Sequence, residues 1–266
     1  MQLEKSRNEF LMRGFGVAAI SYDSQAVLQD FADRMRIGFP LLSDAGSRVI
    51  RSFGILNTTV KPGGLDDGVP YPGLFVVDAS GKVTAKYFEE KYQERFTPET
   101  ILSKQFGVAA GPTVEHRTDH LIFKAQLSQD KARPGNRVSL VVQLDLPPKM
   151  HVYAPGVKGY RPVALVIEEA PEIVVHDATF PRSRVLNLKV IRERVPVYEG
   201  RVRLERDFTV SAGIRAETVE IKGSLEYQAC DDQICYAPAK VPLTFSLAIE
   251  PLERQRVPAA LQRKPQ

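Results

Sequence analysis

Residues 227–238 read "YQACDDQICYAP" and hold both cysteines of a chain of 266 residues, Cys230 and Cys235. A hairpin-like turn between two strands would bring the flanking α-carbons to the ~4.4–6.8 Å that a disulfide requires. The spacing leaves open a structural staple, a metal clip and a pair that exchanges electrons. Closing so short a loop restricts the unfolded chain little, which weakens the staple. Zinc usually takes four ligands, and His116, His120, His151 and His176 stand at no companion ligand spacing, which weakens the clip. Asp231 and Asp232 lie beside Cys230, and negative neighbours disfavour a thiolate unless a cation answers them. Tyr227 and Tyr236 are candidates for an apolar wall beside the sulfurs, or for ordinary strand packing.

Around this stretch the pattern is that of strands. "LIFKAQLS", "NRVSLVVQLDL", "ALVIEEA", "IVVHDATF", "VRLERDFTV", "TVEIKGSLEYQA" and "VPLTFSLAIE" are short and strand-like, divided by Pro, Gly, Asn and Asp turns. Residues 119–250 therefore read as a β-sandwich. The polar tail 251–266 reads as frayed.

The first half differs. "GVAAISY" (16–22) predicts a buried parallel strand, and Ser24 caps a helix on which Val27, Leu28, Phe31 and Met35 recur at helical spacing. "FPLLSD" predicts a short strand, "GSRVIRSFGI" a helix ending at Gly54, and "LFVVD-ASG-KVTAKYF" a hairpin. Thr97 and Pro98 then mark the start of a helix to about Phe106. Asp23 and Asp78 end strands and read as cap or turn residues. The run "GVAAGPTVEHRTD" breaks all periodicity, so residues 108–118 read as a linker after a first domain of 1–107.

Net charge is +4 with basic and acidic residues interleaved, which gives no reason to expect a nucleic-acid partner. The richest basic run, residues 181–206, reads as a solvated strand face. No apolar run approaches the ~18–20 residues that cross a bilayer, and no signal-peptide pattern opens the chain. Neither a cofactor nor a metal is expected.

"GVAAISYDS", "FPLLSD", "FGI" and "PYPGLFVVDASGKV" together resemble the peroxiredoxin-type redoxin version of the thioredoxin fold, the AhpC/TSA-like family, over residues 1–106. The resemblance implies an α/β thioredoxin-like domain. In that family the reactive cysteine sits on a strand-to-helix turn before the helix matched here by residues 2–12, so the domain reads as N-terminally truncated. Lacking a thiol, it is expected to be inactive alone, because the thiolate is the nucleophile. The family also places a cis-proline before the strand "LFVVD"; Pro72 holds that position, where a plain turn residue is the alternative.

"KMHVYAPGVKGYRPVAL", "VPVYEG" and "YQACDDQICYAPAKVPLTFSL" resemble the N-terminal domain of the thiol:disulfide interchange protein DsbD, an immunoglobulin-like sandwich. This implies that Cys230 and Cys235 form a disulfide that takes electrons from a thioredoxin-like partner, in a periplasmic or otherwise extracytoplasmic home. A cap loop would correspond to residues 186–198. Two other functions stand beside electron relay. One is a binding or scaffold module with a structural disulfide; the other is peroxide reduction by the first domain, given a cysteine segment upstream of Met1.

Overall fold

Helix caps organise the first part of the chain and two-residue alternation organises the second. The computed structural model describes residues 2–64, 66–89, 91, 93–188, 193–252 and 258–262. The chain divides into two compact units, Met1–Leu102 with Leu252–Gln266, and Ser103–Pro251. Of the tail, Ala259–Leu261 form one 3₁₀ turn, and residues 253–257 and 263–266 lie outside the described residues.

In the first unit, helices α1 (Gln2–Lys5) and α2 (Arg7–Leu11) precede strand β1 (Ala19–Ser21). Ser24 accepts a hydrogen bond from the Val27 backbone N–H and starts α3 (Gln25–Met35), which buries Leu28. β2 (Leu41–Ser43) pairs with β1 in parallel. The Asp44 carboxylate then accepts from the Arg48 and Ile50 backbone N–H groups at 3.0 and 2.9 Å, opening α4 (Arg48–Ser52). β3 (Gly73–Val77) and β4 (Val83–Phe88) form the expected hairpin. Its turn is held by Asp78, which accepts from the Ser80 and Lys82 N–H groups. β5 (Arg95–Phe96) leads to α5 (Pro98–Phe106), a helix that crosses the division at Leu102 and whose first turn is capped by Thr97 Oγ1 accepting from the Thr100 N–H at 3.0 Å.

The parallel strand expected at 16–22 forms over Ala19–Ser21, but it is not buried. β1–β2 and β3–β4 are separate two-stranded ladders, and Ile20 and Leu42 are 38% and 52% exposed. Three-residue strands with one neighbour each have no second layer over that face, so the apolar run stays at the surface. Among the described residues no peptide bond is cis, so Pro72 acts as a turn residue before β3.

The second unit is built of strands: β6 (Thr113–Arg117), β7 (Ile122–Leu127), β8 (Lys131–Ala132), β9 (Asn136–Asp145), β10 (His151–Tyr153), β11 (Ala164–Ile167), β12 (Ile173–Thr179), β13 (Arg184–Leu188), β14 (Glu193–Glu199), β15 (Arg201–Val210), β16 (Thr218–Tyr227), β17 (Ala229–Cys230) and β18 (Ala239–Ile249). One sheet has the order β12-β15-β9-β7-β6, a second β11-β16-β18-β8, a third β13-β14-β10-β17. Pairing is antiparallel except between β8 and β18. The first two sheets share one core, in which Phe123, Leu140, Leu204 and Phe208 from one meet Leu165, Ile221, Leu243 and Phe245 from the other. This is a sandwich: each strand sends alternate side chains inward, and each buried Leu, Ile or Phe contributes about 1.5–3 kcal/mol.

Arg206 on β15 spans the two layers, donating to the carbonyls of His176 and Leu165 at 2.9 Å each. β11 and β16 approach so closely that a Cβ at Gly223 would collide with the Val166 carbonyl oxygen, which explains a glycine in mid-strand. Thr113–Arg117, read from sequence as part of a linker, pair with Ile122–Leu127 as strand β6. Val114 is the one apolar residue of that strand, so its alternation was hidden among polar residues.

Candidate functional site

The cysteines lie at the end of the third sheet. β17 pairs with β10, with His151 opposite Cys230 and Val152 opposite Ala229. β10 in turn pairs with β14, placing His151 opposite Glu199 and Tyr153 opposite Val197. Val152 points into the sandwich core, so by alternation His151 and Tyr153 share the other face. There Tyr153, Val195, Val197 and Cys230 form a small second core, with Val157, Tyr160 and Leu186 packed on it.

After Cys230 the chain turns back at once. The Asp231 N–H donates to the Ile234 carbonyl at 3.0 Å and the Tyr236 N–H to the Ala229 carbonyl at 2.9 Å. Cys230 and Cys235 therefore face each other as a non-hydrogen-bonded pair, the closer kind in an antiparallel ladder. Their α-carbons are 4.0 Å apart and their sulfurs are bonded. The two differ in environment: Cys230 is 1% exposed, whereas Cys235 lies at the surface beside Ile234, itself 57% exposed.

The Asp231 side chain locks this turn. Its Oδ1 accepts from the Gln233 and Ile234 N–H groups at 2.7 and 2.8 Å, and its Oδ2 from the Tyr236 hydroxyl at 2.7 Å. These bonds, that from Ile234 foremost, hold its carboxyl down at about 2. Asp232 points outward, 3.9 Å from the Lys149 ammonium.

Neither tyrosine flanking the cysteines in sequence walls the sulfurs. Tyr227 belongs to the large core and donates to Thr118 Oγ1 at 2.9 Å. Tyr236 bonds Asp231 and stacks on His120, ring centroids 4.0 Å apart. The side chain against the bridge is Tyr153, whose hydroxyl oxygen lies 3.3 Å from Cys235 Sγ and 3.5 Å from Cys230 Sγ. Bridged sulfurs carry no hydrogen, so the phenol donates. Burial foremost, with the Tyr160 ring and Glu193 nearby, pushes its pKa up to about 12. Tyr160 stacks on Tyr153 at 4.3 Å and donates to Glu193 Oε2 at 3.0 Å.

His151 stands edge-on to Tyr153, centroids 5.6 Å apart, and is 2% exposed. Its pKa is lowered because burial outweighs the charges of Glu199, Asp232 and Asp231. Sequence reasoning noted both Tyr153 and His151 within a family match, and His151 also as a metal candidate, without placing either beside the sulfurs. The available signal was "HVY", a strand with one apolar residue between two polar aromatics, which marks a polar face opposite a core face. Of the other histidines, His116 stacks on Phe123 and His176 bonds Thr209 Oγ1 at 2.8 Å, both away from the bridge. Among the described residues no group of three or more His, Cys, Asp or Glu side chains is placed to hold a metal ion.

The stretch expected as a cap loop forms the hairpin β13–β14, with residues 189–192 outside the described residues. Leu186 and Val195 from it join the cluster around Cys230.

Residues 1–86 match the AhpC/TSA family, and residues 120–246 match the N-terminal region of the thiol:disulfide interchange protein DsbD. A curated relative, chloroplastic peroxiredoxin Q of Arabidopsis thaliana, is 30% identical over 96 residues, which are 36% of this chain and 42% of that protein. The N-terminal periplasmic domain of ScsB from Proteus mirabilis aligns with a TM-score of 0.38 and 15% identity, over 52% of each chain. The reduced DsbD N-terminal domain of Neisseria meningitidis aligns at 0.29 and 17%, over 41% of this chain and 78% of that one.

Proposed function

We propose, for a chain in which an AhpC/TSA-family segment precedes a DsbD N-terminal-type domain, that Cys230 and Cys235 relay electrons by thiol–disulfide exchange with a thioredoxin-like partner. The observation that carries this reading is the asymmetry of the bridge: one sulfur belongs to a surface residue, the other to a buried one, and a phenol donor reaches both.

The steps follow from that geometry. A partner thiolate attacks the accessible Sγ of Cys235, and the S–S bond breaks as a mixed disulfide forms. The electron pair leaves on Cys230 Sγ, where the Tyr153 hydroxyl stabilises the developing charge. The partner's second thiol then attacks the mixed disulfide, leaving an oxidised partner and a reduced Cys230/Cys235 pair. Tyr153 remains a donor throughout, since its own proton is held to about 12.

Asp231, the residue after Cys230, adds a fixed negative charge, which disfavours a thiolate that no cation answers and suits a pair that reacts within a protein complex. The AhpC/TSA segment holds no cysteine, so thiol chemistry in this sequence is confined to the second unit. The match of residues 120–246 to the DsbD N-terminal region supports an extracytoplasmic home for the pair.

The test is the reduction potential of the pair in defined thiol buffers, read by counting alkylated cysteines by mass. A value of roughly −270 to −120 mV is expected; one below about −300 mV would mark a structural bridge and overturn the relay.

A further inference from the structure

Exchange through Cys235 leaves a charge on a sulfur that water does not reach. We infer that His151 takes up the proton released on reduction and holds Cys230 as a thiolate, an imidazolium–thiolate pair that exists only in the reduced protein. This deepens the exchange reading of the bridge and rests on it.

The placement is fixed by strand register. His151 lies directly opposite Cys230 across the β10–β17 ladder and directly opposite Glu199 across the β10–β14 ladder. Residues so paired project from the same face with Cβ atoms about 4.5–5.5 Å apart. The imidazole therefore flanks the buried cysteine, with a carboxylate on its far side.

The ring's hydrogen bonding is incomplete in a specific way. His151 Nε2 is buried without a hydrogen-bond partner. A neutral imidazole carries one lone pair, and with that lone pair on Nε2 the ring presents an unused proton acceptor beside the buried cysteine. That lone pair is a proton acceptor with no donor in the disulfide form. Leaving such a group unpaired in a protein interior is unfavourable, and few are tolerated without a role.

The charges facing His151 come from each element around it. Glu199 on β14 and Asp231 and Asp232 in the turn after β17 favour the imidazolium. Arg184 on β13 pairs with Glu199, and the Lys149 ammonium lies near Asp232. On its own strand Tyr153 is neutral. Burial prevails over these carboxylates in the oxidised protein, so the ring is neutral there. A thiolate on the adjacent Cys230 is the one new charge that reduction introduces, and its sign favours protonation of the ring.

Atoms and electrons balance as follows. A partner thiol attacks Cys235 Sγ, the Cys230–Cys235 bond breaks, and the new disulfide joins the partner to Cys235. The electron pair goes to Cys230 Sγ and the proton of the attacking thiol ends on His151 Nε2. The partner's second thiol displaces Cys235, which leaves with that thiol's proton. Two electrons and two protons enter, and the partner dithiol is oxidised to a disulfide.

The experiment uses the full chain with ring-labelled histidine, titrated by NMR in the disulfide and dithiothreitol-reduced states. The His151 midpoint is expected to rise by at least one pH unit on reduction, a tenfold gain in proton affinity. Reduced wild type at about pH 6 should also show thiolate absorbance that His151→Gln lacks, because an ordinary thiol is protonated there. Reduction of the variant by dithiothreitol should be at least tenfold slower, the scale of a lost proton-transfer group. An unchanged His151 midpoint in a pair whose potential is that of an exchange disulfide overturns this inference alone. A potential in the structural range overturns the exchange reading, and this inference with it. If His151→Gln does not fold, the wild-type titration decides without it.

Discussion

The phenolic oxygen of Tyr153 stands 3.3 Å from the sulfur of Cys235, although 82 residues separate them along the chain. Tyr153→Phe keeps the ring and its packing and removes only the donor. Stopped-flow reduction by a small dithiol should slow by roughly two- to tenfold, equivalent to about 0.5–1.5 kcal/mol for one hydrogen bond. An unchanged rate would mean that the hydroxyl does nothing for the leaving sulfur.

The same residue sets an alkaline limit. Its folded pKa of about 12 lies above the ordinary tyrosine value near 10, so the neutral form is favoured in the native state. That contribution is complete below about pH 10 and is lost as pH rises toward 12, at a cost of about 2–3 kcal/mol. Denaturant titrations of wild type and Tyr153→Phe between these limits should diverge, the wild type losing stability more steeply.

Asp231 behaves in the opposite sense. Its carboxyl is held at about 2, below the unfolded value, so its stabilisation is present above the ordinary carboxylate range and fades as pH falls toward 2. Tyr236→Phe deletes one of the bonds to its charged form. Carbon-13 NMR of the Asp231 carboxyl should report a higher midpoint in that variant; an identical midpoint would show that the backbone donors alone set it.

Gly223→Ala forces a Cβ onto the Val166 carbonyl, a backbone atom that gives way only if strand β11 shifts. The substitution should destabilise the sandwich by about 1–3 kcal/mol, the range of strained or overpacked sites, and loosen the β11–β16 ladder. Thermal unfolding and amide exchange of residues 164–167 would measure it.

Leu204 is fully buried in the shared core, so Leu204→Ala should cost about 2–5 kcal/mol in chemical denaturation. Val185, 50% exposed on β13, provides the contrast, and its replacement by alanine should stay within about 0.5 kcal/mol.

The sandwich was legible in the sequence because β7, β16 and β18 alternate inward and outward residues over most of their length. The cysteine hairpin was legible for a related reason: its partners are five positions apart, and local turns can be read locally. What surrounds the sulfurs was not. Tyr153 and His151 reach them through the β10–β17 ladder, a pairing of distant segments that no local period encodes. For Tyr227 the second of its two readings, ordinary strand packing, is the one that forms: three positions before Cys230, it turns into the large core while Cys230 joins the small one. In the first unit the apolar run at 16–22 promised burial, yet composition carries no information on whether a second layer covers a strand.

The backbone bonds closing the hairpin, Asp231 to Ile234 and Tyr236 to Ala229, are separate from the sulfur bridge, as is the carboxylate clasp of Asp231. Opening the bridge therefore takes away one covalent link and leaves the turn its own fastening. In the proposed relay each turnover would fall on a bond that is remade, and the oxidised and reduced states would share the same backbone turn.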